Sequence, residues 1–341
     1  MTSEAVKAKA IEIGFDLCGI ARADRHPRLA RLAEWLDRGF AGDMVYLLRS
    51  RNERLDPAAV LPGVRSVISL ACVYNTSAPY SSSVADPSQA AVARYAWGDD
   101  YHGVLRGRLR TLIQWLADTA GPGLEAFSCV DDGPVQERVF AEQAGLGWIG
   151  KNTCLINPRL GSWLFLAEIL TNLELDVDPP GLDQCGTCTR CLEACPTGAI
   201  AEPYLVDATR CISYLTIETR RPVDPVLRAG IGPRVYGCDI CQDVCPWNRR
   251  AAVSDDPAWQ PRPALDAPRL LDLCRLSDDA WHALLRASAM QRAGLRRVRR
   301  SLAYAAASLP PHESAAALDA LAAHPSAADP DVQDALRGSR R

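Results

Sequence analysis

The sequence predicts an α+β protein built in three stretches: an α/β domain over residues 1–180, a compact cysteine-rich module over 181–250 and an α-helical region over 251–341. Three observations predict it. Strand-like and helix-like patterns alternate as far as residue 170, eight of the thirteen cysteines fall between Cys185 and Cys245, and alanine- and leucine-rich segments broken by proline fill the C-terminal part. With 341 residues, 48% of them hydrophobic, the chain is long enough for two or three domains with cores of their own.

In chain order, Val6, Ala10 and Ile11 mark a helix ending at Gly14, and Asp16 to Ala21 reads as a short strand. Helical stretches follow at Arg28 to Arg38 and Tyr46 to Arg51. The apolar run Val67 to Val73 reads as a buried strand, closed by a Ser- and Pro-rich loop reaching Gln89. Leu109, Leu112, Ile113 and Leu116 predict an amphipathic helix over Arg106 to Ala120. Glu125 to Val130 is strand-like and delivers Asp131 to its end, Val135 to Ala144 is helical, and Trp163 to Leu170 is a further strand. The segment Asp176 to Asp183, rich in proline and glycine, reads as a linker. Beyond Gly294, Leu302 to Leu309, Ser314 to Ala323 and Val332 to Arg337 read as short stacked helices resembling HEAT-like solenoid pairs.

The cysteines carry the chemistry. The first run is Cys185-x2-Cys188-x2-Cys191-x3-Cys195-Pro196, the second Cys238-x2-Cys241-x3-Cys245-Pro246, with Cys211 between. A cubane needs four thiolates at its corners, and in two-cluster ferredoxins a run gives three to one cube while the cysteine before proline reaches the other. That logic assigns Cys185, Cys188, Cys191 and Cys245 to one 4Fe-4S cluster, and Cys195, Cys211, Cys238 and Cys241 to a second, in a ferredoxin-like module. Zinc ribbons use paired knuckles rather than runs closed by C-x3-C-P. Cys18, Cys72, Cys129, Cys154 and Cys274, scattered among apolar neighbours, read as small buried hydrophobes.

A net charge of −3 provides no global basic field, so a nucleic-acid partner would need a local patch. The N-terminal turns carry Glu4, Lys7, Lys9 and Glu12 rather than an apolar signal segment, and no stretch reaches membrane-span length. A cytoplasmic protein with no membrane partner is expected, in a compartment suited to reduced thiols. Only three lysines occur, so Lys151 suggests a position where a compact ammonium matters.

Three motifs have two readings each. Gly145-Leu-Gly147-Trp-Ile-Gly150-Lys151 matches both a dinucleotide fingerprint and a phosphate loop, but follows a helix rather than a strand and has Asn152 where a hydroxyl belongs. Its glycines are expected to cap a helix and let backbone approach a bulky ligand. Asp100-x-His102 matches the start of a D-x-H-x-x-G cobalamin signature, but Leu105 stands at the glycine, so His102 is read as a pocket or core histidine. Asp131-Asp132-Gly133-Pro134 is either a turn, with Asp132 as a helix N-cap, or a catalytic acid at a strand end.

Taken together, these motifs resemble epoxyqueuosine reductases over about residues 1–250. The resemblance is carried by Arg94-Tyr95-Ala96-Trp97-Gly98, Asp100-Tyr101-His102, Val130-Asp131-Asp132-Gly133-Pro134, Glu137-Arg138, Ala144 to Asn152 and Gly161-Ser162-Trp163. It continues through Cys195-Pro196-Thr197-Gly198-Ala199, Arg210 to Thr216 and Tyr236 to Pro246. It implies a cobalamin-binding first domain, two 4Fe-4S clusters and reduction of an epoxycyclopentane to a cyclopentene as the last step of queuosine synthesis. The substrate implied is tRNA carrying epoxyqueuosine at the wobble position, and a low-potential electron donor is implied as a partner of a monomeric enzyme.

Asp131 matches the first Asp of the family's V-D-[ST]-G motif and is expected to be the proton donor, in a pocket that desolvates it. Asp132 departs from the usual Ser or Thr. Cobalamin contacts are expected from Arg54, Asp131, Lys151, Leu155, Leu166, Ser213, Cys238 and Asp239, with Lys151 alternatively pairing a carboxylate. Arg220, Arg221, Arg297 and Arg300 are expected to meet tRNA, with Arg249-Arg250, Arg296 and Arg299 as further basic candidates. Arg300-Ser301 stands where the family often has Arg-Asn ahead of its C-terminal helices. Two alternatives remain: a ferredoxin-type electron carrier, and a cobalamin-dependent reductive dehalogenase acting on halogenated small molecules.

Overall fold

A computed structural model describes residues 1–83 and 86–340. Val84 and Ala85, in the Ser- and Pro-rich loop, and Arg341, at the end of the expected helical region, lie outside the described residues. The chain forms two compact units that interleave along the sequence. The first gathers Met1–Asn75, Tyr101–Thr189 and Pro246–Ser254, and the second Thr76–Asp100, Arg190–Cys245 and Asp255–Arg341.

The first unit is built on four strands, β1 Leu17–Arg22, β2 Ser66–Val73, β3 Ala126–Cys129 and β4 Leu164–Thr171, in the order β1-β2-β4-β3. Every pairing in it is antiparallel. The expected α/β domain is therefore corrected to an antiparallel sheet with helices, a true α+β layout: the alternating sequence pattern records element order, not strand direction. β2 is apolar at nearly every position because it is central and buried on both faces. One face, with Leu170 and Leu166, packs on helix α3 Glu137–Gln143 through Val139, Phe140 and Ala141. Against β4 also packs α2 Tyr101–Ala120, whose buried residues Leu105, Leu109, Leu112 and Leu116 recur at helical spacing, with α1 Ser3–Ile13 packed beside it. Each such leucine contributes about 1.5–3 kcal/mol by leaving water. α2 starts five residues ahead of its expected start at Arg106, which carries Tyr101 and His102 into its first turn.

The expected linker is strapped to this unit instead. Asp178 gives its N–H to the Ile20 carbonyl and takes the Ile20 N–H on its carboxylate at 2.8 Å, while Lys7 donates to the same carboxylate. Ser3 Oγ donates to the Asp176 carbonyl, and Gly181 N–H to the Glu142 carbonyl. Composition marks the prolines and glycine but not that one aspartate completes the edge of β1.

In the second unit, helix α4 Ile212–Ile217 follows Cys211, and three C-terminal helices follow as α5 Gly294–Ala306, α6 Pro311–Ala322 and α7 Pro330–Ser339, the first starting eight residues ahead of its expected start at Leu302. Arg300, on α5, is fully buried and donates to the carbonyls of Leu215 and Thr219, both at 2.9 Å. It thus satisfies orphan carbonyls at the C-terminal end of α4. That corrects its expected role: a guanidinium held by two buried carbonyls cannot meet phosphate. Arg299 is likewise buried, on Asp278. No helix among the described residues is long and apolar enough to cross a membrane.

Candidate functional site

Where β3 ends, Asp131 turns the chain with φ of +60°, a left-handed conformation that an aspartate tolerates better than most residues but that still costs about 1 kcal/mol or more. Its N–H donates to Glu137 Oε1 at 2.6 Å, and its Oδ2 accepts the Tyr101 hydroxyl at 2.7 Å. His102 Nε2 lies 4.0 Å from the same oxygen. The Asp131 side chain is 67% exposed, so the expected desolvation is absent: its position is set by bonds, not by burial.

Tyr101 is rigid because its ring stacks between His102, at 4.1 Å, and Phe165 of β4, at 4.3 Å, with Tyr74 beyond Phe165. A phenol so held offers one fixed donor to the carboxyl. Asp132 does not cap α3, whose N-cap is Gln136, with no side-chain capping bond because its amide donates to the Leu29 and Arg54 carbonyls instead. Its carboxylate pairs with Arg106 of α2 and accepts the Val130 N–H. The neighbouring Gly133 is required because a Cβ there would overlap the Cys129 side chain.

Two further carboxyls to which the sequence reading gave no role are Glu137, beside Asp131, and Glu168. Burial, and then the Asp131 charge, push the Glu137 carboxyl up to about 8. Glu168, on β4 opposite Ser69 and Cys129, is fully buried, and burial drives its carboxyl well above the usual range. Ser69 Oγ donates to its Oε2, while Oε1 has no hydrogen-bond partner among the described residues. A lone acid inside an apolar strand is the signal that could have found Glu168.

Other expected residues of the first unit are placed differently from one another. Arg54 donates to the Val135 carbonyl at 3.3 Å and to Ser50 Oγ, beside a small cavity lined by Pro57, Pro134 and Phe140. Lys151 Nζ donates to the carbonyls of Gly186 and Cys188 at 2.7 and 2.9 Å, so the ammonium fastens the loop that carries Cys185 and Cys188. Leu155 is buried in the core with Leu166 at its margin. The glycines of the Gly145–Gly150 stretch serve the fold: Cβ atoms would strike the Pro179 carbonyl at Gly145, the Ile156 carbonyl at Gly147 and the Ile156 side chain at Gly150. The expectation that they admit a ligand is corrected accordingly. Gly161 and Ser162 are tied to Asn248, which accepts the Ser162 N–H and donates to its hydroxyl.

In the second unit, Cys195, Cys211 and Cys238 are close enough to feel one another's charge, Cys211 being the common neighbour. Burial pushes the Cys211 thiol up, while N–H groups of Ser213 and Tyr214 and the Ser213 hydroxyl oppose it by donating to sulfur. Burial also raises the Cys195 thiol, but the Ala199 amide, donating at 3.3 Å, and the Thr197 groups outweigh it and the net shift is downward. N–H and O–H groups donating to sulfur favour the thiolate form, and at Cys195 alone of the three do they outweigh burial. The Ser213 hydroxyl is thus engaged by Cys211. Asp239 is buried and accepts the Arg94 N–H at 2.7 Å, so its carboxylate shapes the loop after Cys238. Arg220 and Arg221 are exposed, whereas Arg297 is half-buried and donates to the carbonyls of Arg292 and Ala293. No two cysteines are joined in a disulfide among the described residues; Cys72, Cys129 and Cys274 are buried as expected, Cys18 and Cys154 only partly.

Comparison with known proteins addresses both regions. Residues 54–132 match the family model described as epoxyqueuosine reductase QueG, DUF1730, and residues 184–248 match a 4Fe-4S double cluster binding domain. The epoxyqueuosine reductase of Gloeobacter violaceus is 46% identical over 310 residues, covering 88% of this chain and 95% of that protein. A crystal structure of epoxyqueuosine reductase with a tRNA-Tyr epoxyqueuosine-modified stem loop superposes with a TM-score of 0.80 at 30% identity, over 98% of this chain and 92% of the other. The Bacillus subtilis enzyme, solved with its catalytic aspartate loop swung out of the active site, gives 0.79 at 29% identity over 98% and 93%. An acid presented at a strand end, a double-cluster segment and identity along nearly the whole length of such relatives lead to one conclusion: the chain belongs to the epoxyqueuosine reductase family.

Proposed function

We propose that this chain reduces epoxyqueuosine to queuosine in tRNA, with Asp131 as the acid, cobalamin as the redox centre and two 4Fe-4S clusters as the electron supply. The observation that carries the reading is the near-full-length identity to epoxyqueuosine reductases, including the stretch that ends on Asp131 and Asp132. Two electrons and two protons convert the epoxide into an alkene and water, so the protein must deliver both.

Residues 1–180 are the cobalamin and substrate stretch in this reading, 181–250 the two-cluster stretch and 251–341 the helical region. The residues present fit a corrin in part. An open carboxyl beside a phenol and an imidazole suits a large polar-rimmed ligand, and partly buried Leu164 and Leu166 offer apolar surface beside the core. Asp131 and Leu166 would hold the group through their side chains, with Arg54, Lys151, Leu155, Ser213 and Cys238–Asp239 contributing through backbone, since their side chains are otherwise engaged. When bound, cobalamin would supply low-potential one-electron redox chemistry at the epoxide.

The rest is the work of this chain's own groups. Asp131 gives its proton to the oxygen leaving carbon, Tyr101 orients that carboxyl, and His102 offers a second proton-carrying group at the same oxygen. Cys185, Cys188, Cys191 and Cys245 hold one cluster and Cys195, Cys211, Cys238 and Cys241 the other. Arg220 and Arg221, both exposed, meet tRNA phosphates, which makes binding weaken with salt.

The test is anaerobic turnover of reconstituted protein with cobalamin, a low-potential reductant and epoxyqueuosine-containing tRNA, read by mass spectrometry of the digested nucleosides. Loss of one oxygen from the modified nucleoside, dependent on cobalamin, is the expected result. No conversion by protein carrying both clusters and the corrin overturns the reading.

A further inference from the structure

We infer that Glu137 is a positioning residue for the proton donor: by accepting the Asp131 N–H on Oε1, it holds the strand-end turn in the left-handed conformation that aims the Asp131 carboxyl at the Tyr101 hydroxyl. The inference rests on the reading of Asp131 as the acid.

The geometry requires a holder. Asp131 is a non-glycine residue at φ +60°, a backbone state that persists only where surrounding contacts over-determine it. The side chain cannot provide that, because two thirds of it is exposed and its near partners, Tyr101 and His102, meet it at a single oxygen. The backbone bond can. At 2.6 Å it is short for an N–H donor, and its acceptor stands at the first position of α3, which packs on the sheet through Val139 and Phe140. The turn of Asp131 to Gln136 is thereby closed on a rigid element. Asp132 adds a weaker tie through Arg106, between side chains each about half exposed.

The experiment uses the full chain with both clusters loaded and compares Glu137→Gln, which keeps an oxygen acceptor at the same reach, with Glu137→Ala, which removes it. Amide hydrogen exchange of residues 130–133 is followed by mass spectrometry, alongside kcat and KM for epoxyqueuosine-containing tRNA. Glu137→Ala should speed exchange at the turn by at least about tenfold and lower kcat by roughly 10–100-fold with KM nearly unchanged, while Glu137→Gln stays close to the parent in both. If the alanine variant fails to fold, Glu137→Asp, one methylene too short to reach, must show the same pair of losses.

Unchanged exchange and kcat in the variant lacking reach overturn the inference, and so does a glutamine variant as impaired as alanine. Should the parent protein not convert the RNA while exchange behaves as expected, the function assigned above fails and the hold on the turn stands. An active parent with indifferent Glu137 variants removes the positioning role alone.

Discussion

The Asp131 turn and the Cys211 loop solve opposite problems. At Asp131 the reactive side chain is open and the backbone beneath it is strained, held by Glu137 and faced by a stacked tyrosine. At Cys211 the reactive sulfur is largely buried in relaxed backbone, just ahead of α4, and receives donors from Ser213 and Tyr214. On the roles proposed above, a proton donor must meet its substrate and give something away, whereas a cluster ligand must hold a charge away from solvent. The difference teaches that the first site depends on distant elements brought to one turn, and the second on donors within a few residues of the sulfur.

The largest test of that contrast is Asp131→Asn. It keeps the turn's shape, since asparagine tolerates φ near +60°, but cannot donate an acidic proton, so turnover should fall by about 10²–10⁴-fold while iron and corrin content stay at parent levels. An active variant would remove the acid role from Asp131. On the other side, Cys211→Ser should lose about half of the cluster iron, measured by iron analysis after anaerobic reconstitution, because one of two cubanes loses a corner. Full iron retention would assign the fourth ligand elsewhere.

A smaller effect separates burial from function. Glu168 is raised by burial, so its favourable, neutral state is fully present below the ordinary carboxyl value of 4.5 and is lost as pH climbs through the raised value. Glu168→Gln should therefore leave thermal stability near the parent at pH 4.5 and raise it at pH 8, by about 1.4 kcal/mol for every tenfold difference in proton affinity between the folded and unfolded chain. A variant destabilised at pH 8 would show that the ionised carboxyl is what the sheet requires. Smallest of all, Arg221→Ala should weaken tRNA binding by a few-fold and flatten its salt dependence by about one phosphate's worth, measured by filter binding across salt concentrations. Equal slopes would take Arg221 off the RNA.

The same contrast explains what the sequence disclosed. The double-cluster segment was legible because each cysteine run is local: the spacing of Cys185 to Cys195 and of Cys238 to Cys245 marks residues that match a 4Fe-4S double cluster binding domain, whereas Cys211 was reached only as the cysteine left over between them. The helix at Leu109 to Leu116 was legible from periodicity, and those beyond Gly294 from alanine- and leucine-rich segments broken by proline. Strand direction was not, since β1 and β4 give the same apolar pattern whichever way they pair. Nor were the tertiary bonds of charged residues. Nothing in Arg299-Arg300 distinguishes a buried clamp on backbone carbonyls from an exposed pair such as Arg220-Arg221, and Lys151 donates to two carbonyls 35 and 37 residues away, a partnership that no spacing rule anticipates.

Asp178 has a bearing on how this protein survives outside its folded state. β1 lies at one end of the sheet, where unpaired amides offer a template for any other strand. By filling both the donor and the acceptor of Ile20, and by anchoring Lys7 of α1 there, Asp178 denies that template to neighbouring molecules. The proline-glycine stretch is then a guard against self-association, and any condition that releases it will turn the catalyst into a seed for aggregates.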